Sequence, residues 1–159
     1  MPDTHAAANF DLSGRTALVT GSSTGLGKAM AYAMGMAGAR VAINYVSNAD
    51  RAAVTLEEFK ADGIECELFQ ADITDEQQVD SLCGGIEQSL GPIDILVLNA
   101  AADQHLNPIE EYDWDFHQLM VDFFIKSPYL LACRLLPHMK QQGWGRLVSI
   151  GSEVFYQGR

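Results

Sequence analysis

A glycine-rich segment at residues 20–27, TGSSTGLG, carries the clearest chemical signal in the sequence. It follows a short apolar run and opens a stretch in which apolar residues recur with helical spacing. Glycines allow a tight turn, and they let a phosphate approach the backbone N–H groups at a helix start. The hydroxyls of Ser22, Ser23 and Thr24 suit either helix capping or donation to phosphate oxygens. The segment predicts nucleotide binding, with an ordinary capped strand–helix turn as the alternative.

Lys28 follows this segment and invites comparison with the P-loop of nucleoside triphosphatases. That motif needs a glycine where the chain has Ser22, and it needs Ser or Thr after the lysine to hold magnesium, where Ala29 stands. The flanking residues therefore argue against a triphosphatase.

Short apolar runs and helical patterns alternate along the rest of the chain. Predicted strands cover residues 17–20, 41–43, 64–69, 93–98 and 147–150. Predicted helices cover residues 26–37, 49–63, 79–90 and 116–136, the last of them kinked or divided at Pro128. The strand runs are apolar almost throughout, as expected when helices cover both faces of a parallel sheet. We predict an α/β fold, a doubly wound, Rossmann-like parallel sheet of five strands, in a single domain over residues 1–159.

Composition narrows the class of protein. The chain has 159 residues, of which 48% are hydrophobic and 19% charged, which is globular rather than disordered composition. Its formal net charge is −11, and an acidic surface repels phosphate backbones, so general nucleic-acid binding is not expected. No apolar run reaches the roughly 20 residues of a membrane helix, so no membrane partner is expected.

The cysteines and histidines indicate a protein of a reducing compartment, and they do not indicate a metal site in it. Cys66, Cys83 and Cys133 are odd in number and show no C-x-x-C spacing, which disfavours a disulfide scaffold or a cysteine zinc site. The four histidines are scattered, so no metal is expected. The N-terminus lacks the basic start and apolar run of a signal peptide, and we expect a cytoplasmic protein.

Three further segments extend the signal of the glycine turn, whose spacing is T-G-x-x-x-G-x-G. They are ADIT at 71–74, ILVLNAA at 95–101 and GRLVSIGS at 145–152. In this order the four segments resemble the short-chain dehydrogenase/reductase family across about residues 12–152. The likeness is nearest to its carrier-protein ketoacyl reductases and its sugar or polyol dehydrogenases. The resemblance implies hydride transfer between NADP or NAD and a small carbonyl or alcohol substrate.

The same resemblance assigns cofactor contacts along the strand ends. Gly21, Gly25 and Gly27 would shape the diphosphate turn, which Ser23, Thr24 and Leu26 would line. Asp72 would bind the adenine amino group, or alternatively cap the helix that starts near Asp75, and Ile73 would lie against the adenine ring. Asn99 and Ala100 would run past the nicotinamide ribose. The chain departs from the family at Leu98 and Ala101, where Asn and Gly are usual.

The end of the second predicted strand bears on the choice of cofactor. An acidic residue there would bind a ribose 2′-hydroxyl and repel a 2′-phosphate, and the chain has none before Asp50. Asn44, Ser47 and Asn48 are candidate donors to a phosphate, with Arg51 nearby. We therefore expect NADP in preference to NAD.

The catalytic residues that the resemblance implies are Ser152 and Asp122. Ser152 would hydrogen-bond the substrate oxygen as negative charge develops on it. Asp122 would stand where the family has the Asn that holds a proton-relay water, and an Asp there accepts hydrogen bonds where Asn also donates.

The family's acid/base motif, Tyr-x-x-x-Lys, does not occur within the 159 residues. Tyr156 lies too close to Ser152 and has no residue 160 to pair with. The resemblance implies that the last third of a family domain is missing, so we expect this chain alone to be inactive, with an exposed fifth strand. The full-length form is expected to be a homo-oligomer. Two alternatives stay open: a catalytically silent nucleotide-binding module, and one half of a split enzyme.

Overall fold

Five parallel strands form one sheet in the order β3-β2-β1-β4-β5. The computed structural model describes residues 10–102 and 107–152. The strands are β1 (Thr16–Val19), β2 (Arg40–Tyr45), β3 (Cys66–Gln70), β4 (Ile93–Leu98) and β5 (Arg146–Ser149). The order reverses at β1, which pairs with β2 on one side and β4 on the other. The predicted doubly wound α/β fold is confirmed.

Alternation along β1 divides its side chains between two apolar layers. Ala17 and Val19 belong to a buried cluster with Ala31 and Phe59, whereas Leu18 belongs to the cluster on the opposite face. Successive strand residues point to opposite faces, so a strand apolar throughout must be covered on both. Helix pairs supply that cover, which explains why the strand runs show no polar alternation.

Five α-helices connect or flank the strands in the described residues. They are α1 (Gly25–Met36), α2 (Ala49–Ala61), α3 (Glu76–Ser89), α4 (Trp114–Val121) and α5 (Ser127–Gln142). Asn48, Asp75 and Asp113 cap α2, α3 and α4 by accepting a hydrogen bond from the backbone N–H three residues later. No helix in the described part of the chain is long and apolar enough to cross a membrane.

The region predicted as one long helix, kinked or divided at Pro128, is divided just before that residue. A π-helical turn, Asp122–Lys126, separates α4 from α5, and Pro128 is the second residue of α5. The Ser127 N–H donates to the carbonyl of Asp122, five residues back rather than four. This extra residue in the turn rotates the side chains before it relative to those after it.

Strand β5 forms one edge of the described sheet. All four of its residues are exposed, and Leu147 and Val148 each keep 42% of their surface accessible. The exposed fifth strand expected from the sequence is therefore present.

Candidate functional site

A continuous groove crosses the carboxyl ends of the strands, where the strand order reverses. It consists of two adjoining cavities of about 550 and 540 Å³. The shared wall of the cavities comprises Leu26, Asn99, Ala100, Ala101 and Phe123. Open parallel sheets bind ligands at this position because the strand-end loops diverge there. We call the cavity beside the glycine turn the turn cavity and the one beside β5 the strand cavity.

The turn cavity gathers most of the residues that the sequence assigned to the cofactor. Its wall includes Gly21, Ser23, Thr24, Gly25, Leu26, Gly27, Ser47, Asp72, Asn99 and Ala100. Ile73 lies on the wall of the strand cavity instead. Asn44 belongs to neither wall.

Close packing under the turn requires glycine at position 27. A Cβ there would lie 2.5 Å from both the Asn99 Nδ2 atom and the Gly21 carbonyl oxygen. Gly25 differs, since a Cβ would meet nothing within 4 Å, but its φ of +57° favours glycine. The two glycines thus serve different purposes, close approach in one case and backbone conformation in the other.

The start of α1 is suited to an anion. Thr24 occupies the N-cap position, but its side chain makes no capping hydrogen bond. The first turn of α1 contains no acidic residue. The first N–H groups of a helix lack intrahelical partners and carry partial positive charge, so this end attracts phosphate. Lys28 is paired with Glu58, as expected for a lysine without a P-loop role.

Thr20, which the sequence reasoning did not single out as a site residue, joins the ends of β1 and β4. Its Oγ1 atom accepts hydrogen bonds from the backbone N–H groups of Asn99 and Ala100, both at 3.0 Å. The Asn99 side chain returns a bond of 2.9 Å to the Thr20 carbonyl. The only sequence signal for this role is the threonine directly before the first glycine.

Asn44 departs from its expected role as a donor to a cofactor phosphate. The residue is 1% exposed, and its Oδ1 atom accepts from the Gly21 N–H at 3.1 Å. Its Nδ2 group donates to the carbonyl of Ala71 at 3.0 Å. Because both ends of the amide are engaged, Asn44 holds the glycine turn against the end of β3. The expectation that it donates to a cofactor phosphate is therefore corrected.

The other polar residues after β2 remain on the turn cavity wall. The Asn48 carboxamide oxygen caps α2 by accepting from the Arg51 N–H at 2.9 Å. Ser47 and the Arg51 side chain line the cavity, and Arg51 is its one basic residue among the described residues. This wall therefore presents positive charge where the sequence lacks an acid.

Asp72 keeps a place on the turn cavity wall, and the alternative that it caps a helix is wrong. Asp75 is the residue that caps α3, with its Oδ1 atom 2.9 Å from the Gln78 N–H. The Asp72 Oδ1 atom accepts from the N–H and the hydroxyl of Thr74, at 2.9 and 2.7 Å. These two hydrogen bonds hold one oxygen of the Asp72 carboxylate in place and so fix the orientation of the carboxylate.

The strand cavity has an apolar wall with a few hydroxyls. Leu98, Phe123, Phe124 and Pro128 contribute apolar surface. The serine residues on its wall are Ser127, Ser149 and Ser152. Ser152 therefore lies where a substrate could meet it. Tyr156 lies outside the described residues.

Asp122, the expected holder of a relay water, is not on the wall of either cavity. Its Oδ1 atom accepts from the Gln118 Nε2 group at 3.1 Å, one helical turn earlier. The π turn that starts at Asp122 explains the difference, because it turns Phe123 and Phe124 toward the cavity in its place. The expected role of Asp122 is corrected accordingly.

Known proteins resemble this chain in sequence and in fold. The family described as short chain dehydrogenase matches residues 15–158. A curated 2-dehydro-3-deoxy-D-gluconate 5-dehydrogenase of Formosa agariphila is 33% identical over 150 residues, covering 94% of this chain and 56% of the relative.

Two solved structures show similar folds. A gluconate 5-dehydrogenase from Burkholderia cenocepacia, in complex with NADP and tartrate, has a TM-score of 0.82 at 31% identity, over 93% of this chain and 57% of that one. A 3-oxoacyl (acyl-carrier-protein) reductase from Agrobacterium tumefaciens, with NADP bound, has a TM-score of 0.87 at 31% identity, over 96% and 58%. The chain spans just over half the length of these relatives.

Proposed function

This chain belongs to the short-chain dehydrogenase family, and from that premise we propose that it binds a nicotinamide dinucleotide along the groove for hydride transfer to or from a carbonyl or alcohol carbon. The observation that carries the proposal is the turn cavity itself. There the uncapped start of α1, the Asp72 carboxylate and the Asn99–Ala100 segment line one surface.

NADP is proposed in preference to NAD. Support comes from the wall after β2, where Ser47 and Arg51 line the cavity and no acidic residue intervenes before Asp50. A 2′-phosphate is dianionic or nearly so, and a guanidinium is its natural partner. The two solved relatives with NADP bound support the same choice.

Each group has a chemical task in this proposal. The first N–H groups of α1 bind the diphosphate, and Asp72 accepts from the adenine amino group. Ile73 belongs to the strand cavity wall, so no adenine contact is proposed for its side chain. Asn99 and Ala100 line the path of the nicotinamide ribose, and the bound cofactor supplies or accepts the hydride. Ser152 donates a hydrogen bond to the substrate oxygen as charge develops on it, which stabilises the transition state.

The substrate class we propose is a small oxygenated carbonyl or alcohol compound. Two of the relatives act on gluconates, by their names, and one on a 3-oxoacyl group. Each of these substrates carries at least one oxygen function besides the one on the reacting carbon. The few hydroxyls on the otherwise apolar strand cavity are compatible with such a ligand.

Proton transfer requires a group that these 159 residues do not show, because no Tyr is followed four positions later by Lys. We propose that this stretch alone binds cofactor without turnover, and that a further segment or a second chain supplies the acid/base. A silent binding module is the second candidate, favoured by the same missing motif and by Leu98 and Ala101. The whole protein is proposed to be cytoplasmic and homo-oligomeric.

Fluorescence titration of this chain with NADPH and NADH, followed by hydride-transfer assays on the whole protein, tests the proposal. We expect saturable binding that is tighter for NADPH, and NADPH oxidation by the whole protein with a sugar-acid or 3-oxo substrate. Binding without oxidation by the whole protein favours the silent module. No binding of either dinucleotide contradicts the proposal.

A further inference from the structure

Ser127 lines the strand cavity and carries a buried hydroxyl. The residue is 1% exposed, and its Oγ atom has no hydrogen-bond partner among the described residues. Burying a hydroxyl without a partner costs free energy, so a position of this kind calls for a partner. Ser127 lies at the start of α5, but no side chain caps that helix.

Other helical serines show what Ser127 lacks. In α3 the hydroxyls of Ser81 and Ser89 donate to the carbonyls four residues earlier, at 2.9 and 3.1 Å. Such a bond is the usual way for a serine inside a helix to satisfy its hydroxyl. The corresponding acceptor for Ser127 is the carbonyl of Phe123, and no such bond is present.

The π turn also removes the usual partners of the Phe123 carbonyl. The N–H of Ser127, four residues on, donates to Asp122 instead. Residue 128, five residues on, is proline and has no N–H. A carbonyl without its helical donors and a hydroxyl without a partner in the described ranges therefore belong to one turn. Both residues contribute to the wall of the strand cavity.

An acceptor and a hydroxyl together match a ligand group that both donates and accepts, and a hydroxyl is the smallest such group on a carbonyl compound. We propose that Ser127 is a substrate-binding residue whose hydroxyl, with the Phe123 carbonyl, binds a substrate hydroxyl other than the oxygen that reacts. This inference rests on the proposed function, and it names a hydroxylated carbonyl compound as the substrate class. An analogue without that hydroxyl leaves the Ser127 hydroxyl and the Phe123 carbonyl without a ligand partner, so it is bound less well.

The test compares two ketones that differ by one hydroxyl, 3-hydroxybutanone and butanone. Their dissociation constants are measured by ligand-observed NMR on the purified protein, with and without NADP⁺, so that no turnover is needed. Wild type is expected to bind the hydroxyketone more tightly. Ser127→Ala should weaken hydroxyketone binding about 3- to 10-fold, the factor for one neutral hydrogen bond, and leave butanone within about twofold.

Ser89→Ala is the matched control, because it removes a helical serine hydroxyl away from the groove, and it should change neither constant. Ser127→Ala should melt at or above the wild-type temperature, since its hydroxyl has no partner to lose in the described part of the chain. A lower melting temperature would show a structural role and overturn the inference.

Equal affinities of wild type for the two ketones overturn the inference. An equal loss of affinity for both ketones in Ser127→Ala also overturns it, because such a loss indicates an ordered water or a packing effect. Absence of hydride transfer or of NADP⁺ binding counts against the proposed function alone. The difference between the two ketones remains measurable in either case.

Discussion

Replacing Gly27 by alanine is the sharpest perturbation of the glycine turn. The new Cβ would lie 2.5 Å from the Asn99 Nδ2 atom and from the Gly21 carbonyl oxygen, whereas ordinary van der Waals contacts begin at 3.4 Å. One of the two obstacles is backbone, so the turn itself must move.

The expected cost follows from three contributions. Overpacking costs about 1–3 kcal/mol, and displacement of the Asn99 amide loses a hydrogen bond worth about 0.5–1.5 kcal/mol. Alanine in place of glycine in a helix returns about 1 kcal/mol. We expect Gly27→Ala to lower the free energy of unfolding by about 0.5–3.5 kcal/mol.

Urea unfolding and NADPH titration measure the two consequences of this change. NADPH affinity should fall at least about tenfold, equivalent to about 1.4 kcal/mol, because Gly21 and Asn99 both line the turn cavity. Gly84→Ala in α3 is the matched control, since its Cβ would meet nothing within 4 Å. That control should raise stability by about 0.5–1 kcal/mol with unchanged affinity. A Gly27→Ala protein as stable as wild type, with unchanged NADPH affinity, would refute the packing argument.

Three other changes give separate tests. Thr20→Val removes the acceptor of two backbone N–H groups and should lower the free energy of unfolding in urea by about 2–3 kcal/mol. The control Thr55→Val removes one hydrogen bond and should cost about 1 kcal/mol. Equal costs for the two variants would contradict the role of Thr20. Arg51→Ala should weaken NADPH binding about tenfold and leave NADH binding unchanged. Arg146→Ala lies outside the turn cavity and should change neither affinity. Equal losses of NADPH and NADH affinity in Arg51→Ala would contradict a contact with the 2′-phosphate. Burial disfavours the charged thiolate and raises the pKa of Cys83 to about 12, so about one Cys83 thiol in ten thousand is ionised at pH 8. Thiol titration of the folded protein at pH 8 should therefore label the exposed Cys133 and reach Cys83 only on unfolding; early labelling of Cys83 would contradict its burial.

Local patterns in the sequence predicted the parallel sheet and the position of the groove, because each depends on short-range signals. Apolar runs without polar alternation indicated strands covered on both faces, and the glycine turn indicated the start of α1. Both elements are found, with strand ends differing by one or two residues, as for β3, which begins at Cys66. Boundaries of this kind depend on hydrogen bonds that sequence patterns do not show.

The directions and contacts of individual side chains could not be predicted from the sequence. Asn44 lies at the predicted strand end, but its amide is buried between the glycine turn and Ala71, and only the tertiary packing of β1, β2 and β3 decides that. Asp122 was assigned from its resemblance to a family segment, whereas the π turn changes which residues face the cavity. The same turn leaves the Ser127 hydroxyl without a partner among residues 10–102 and 107–152, and no residue pattern predicts this.

The most direct test of the central claim is an amide ¹H–¹⁵N correlation spectrum of the protein titrated with NADP⁺. Binding along the groove predicts that the largest shifts occur at Gly25, Gly27, Ser47 and Asn99, with little change at Gly143 at the far end of α5. Shifts that cluster away from the carboxyl ends of the strands, or no shifts at saturating NADP⁺, would contradict the account.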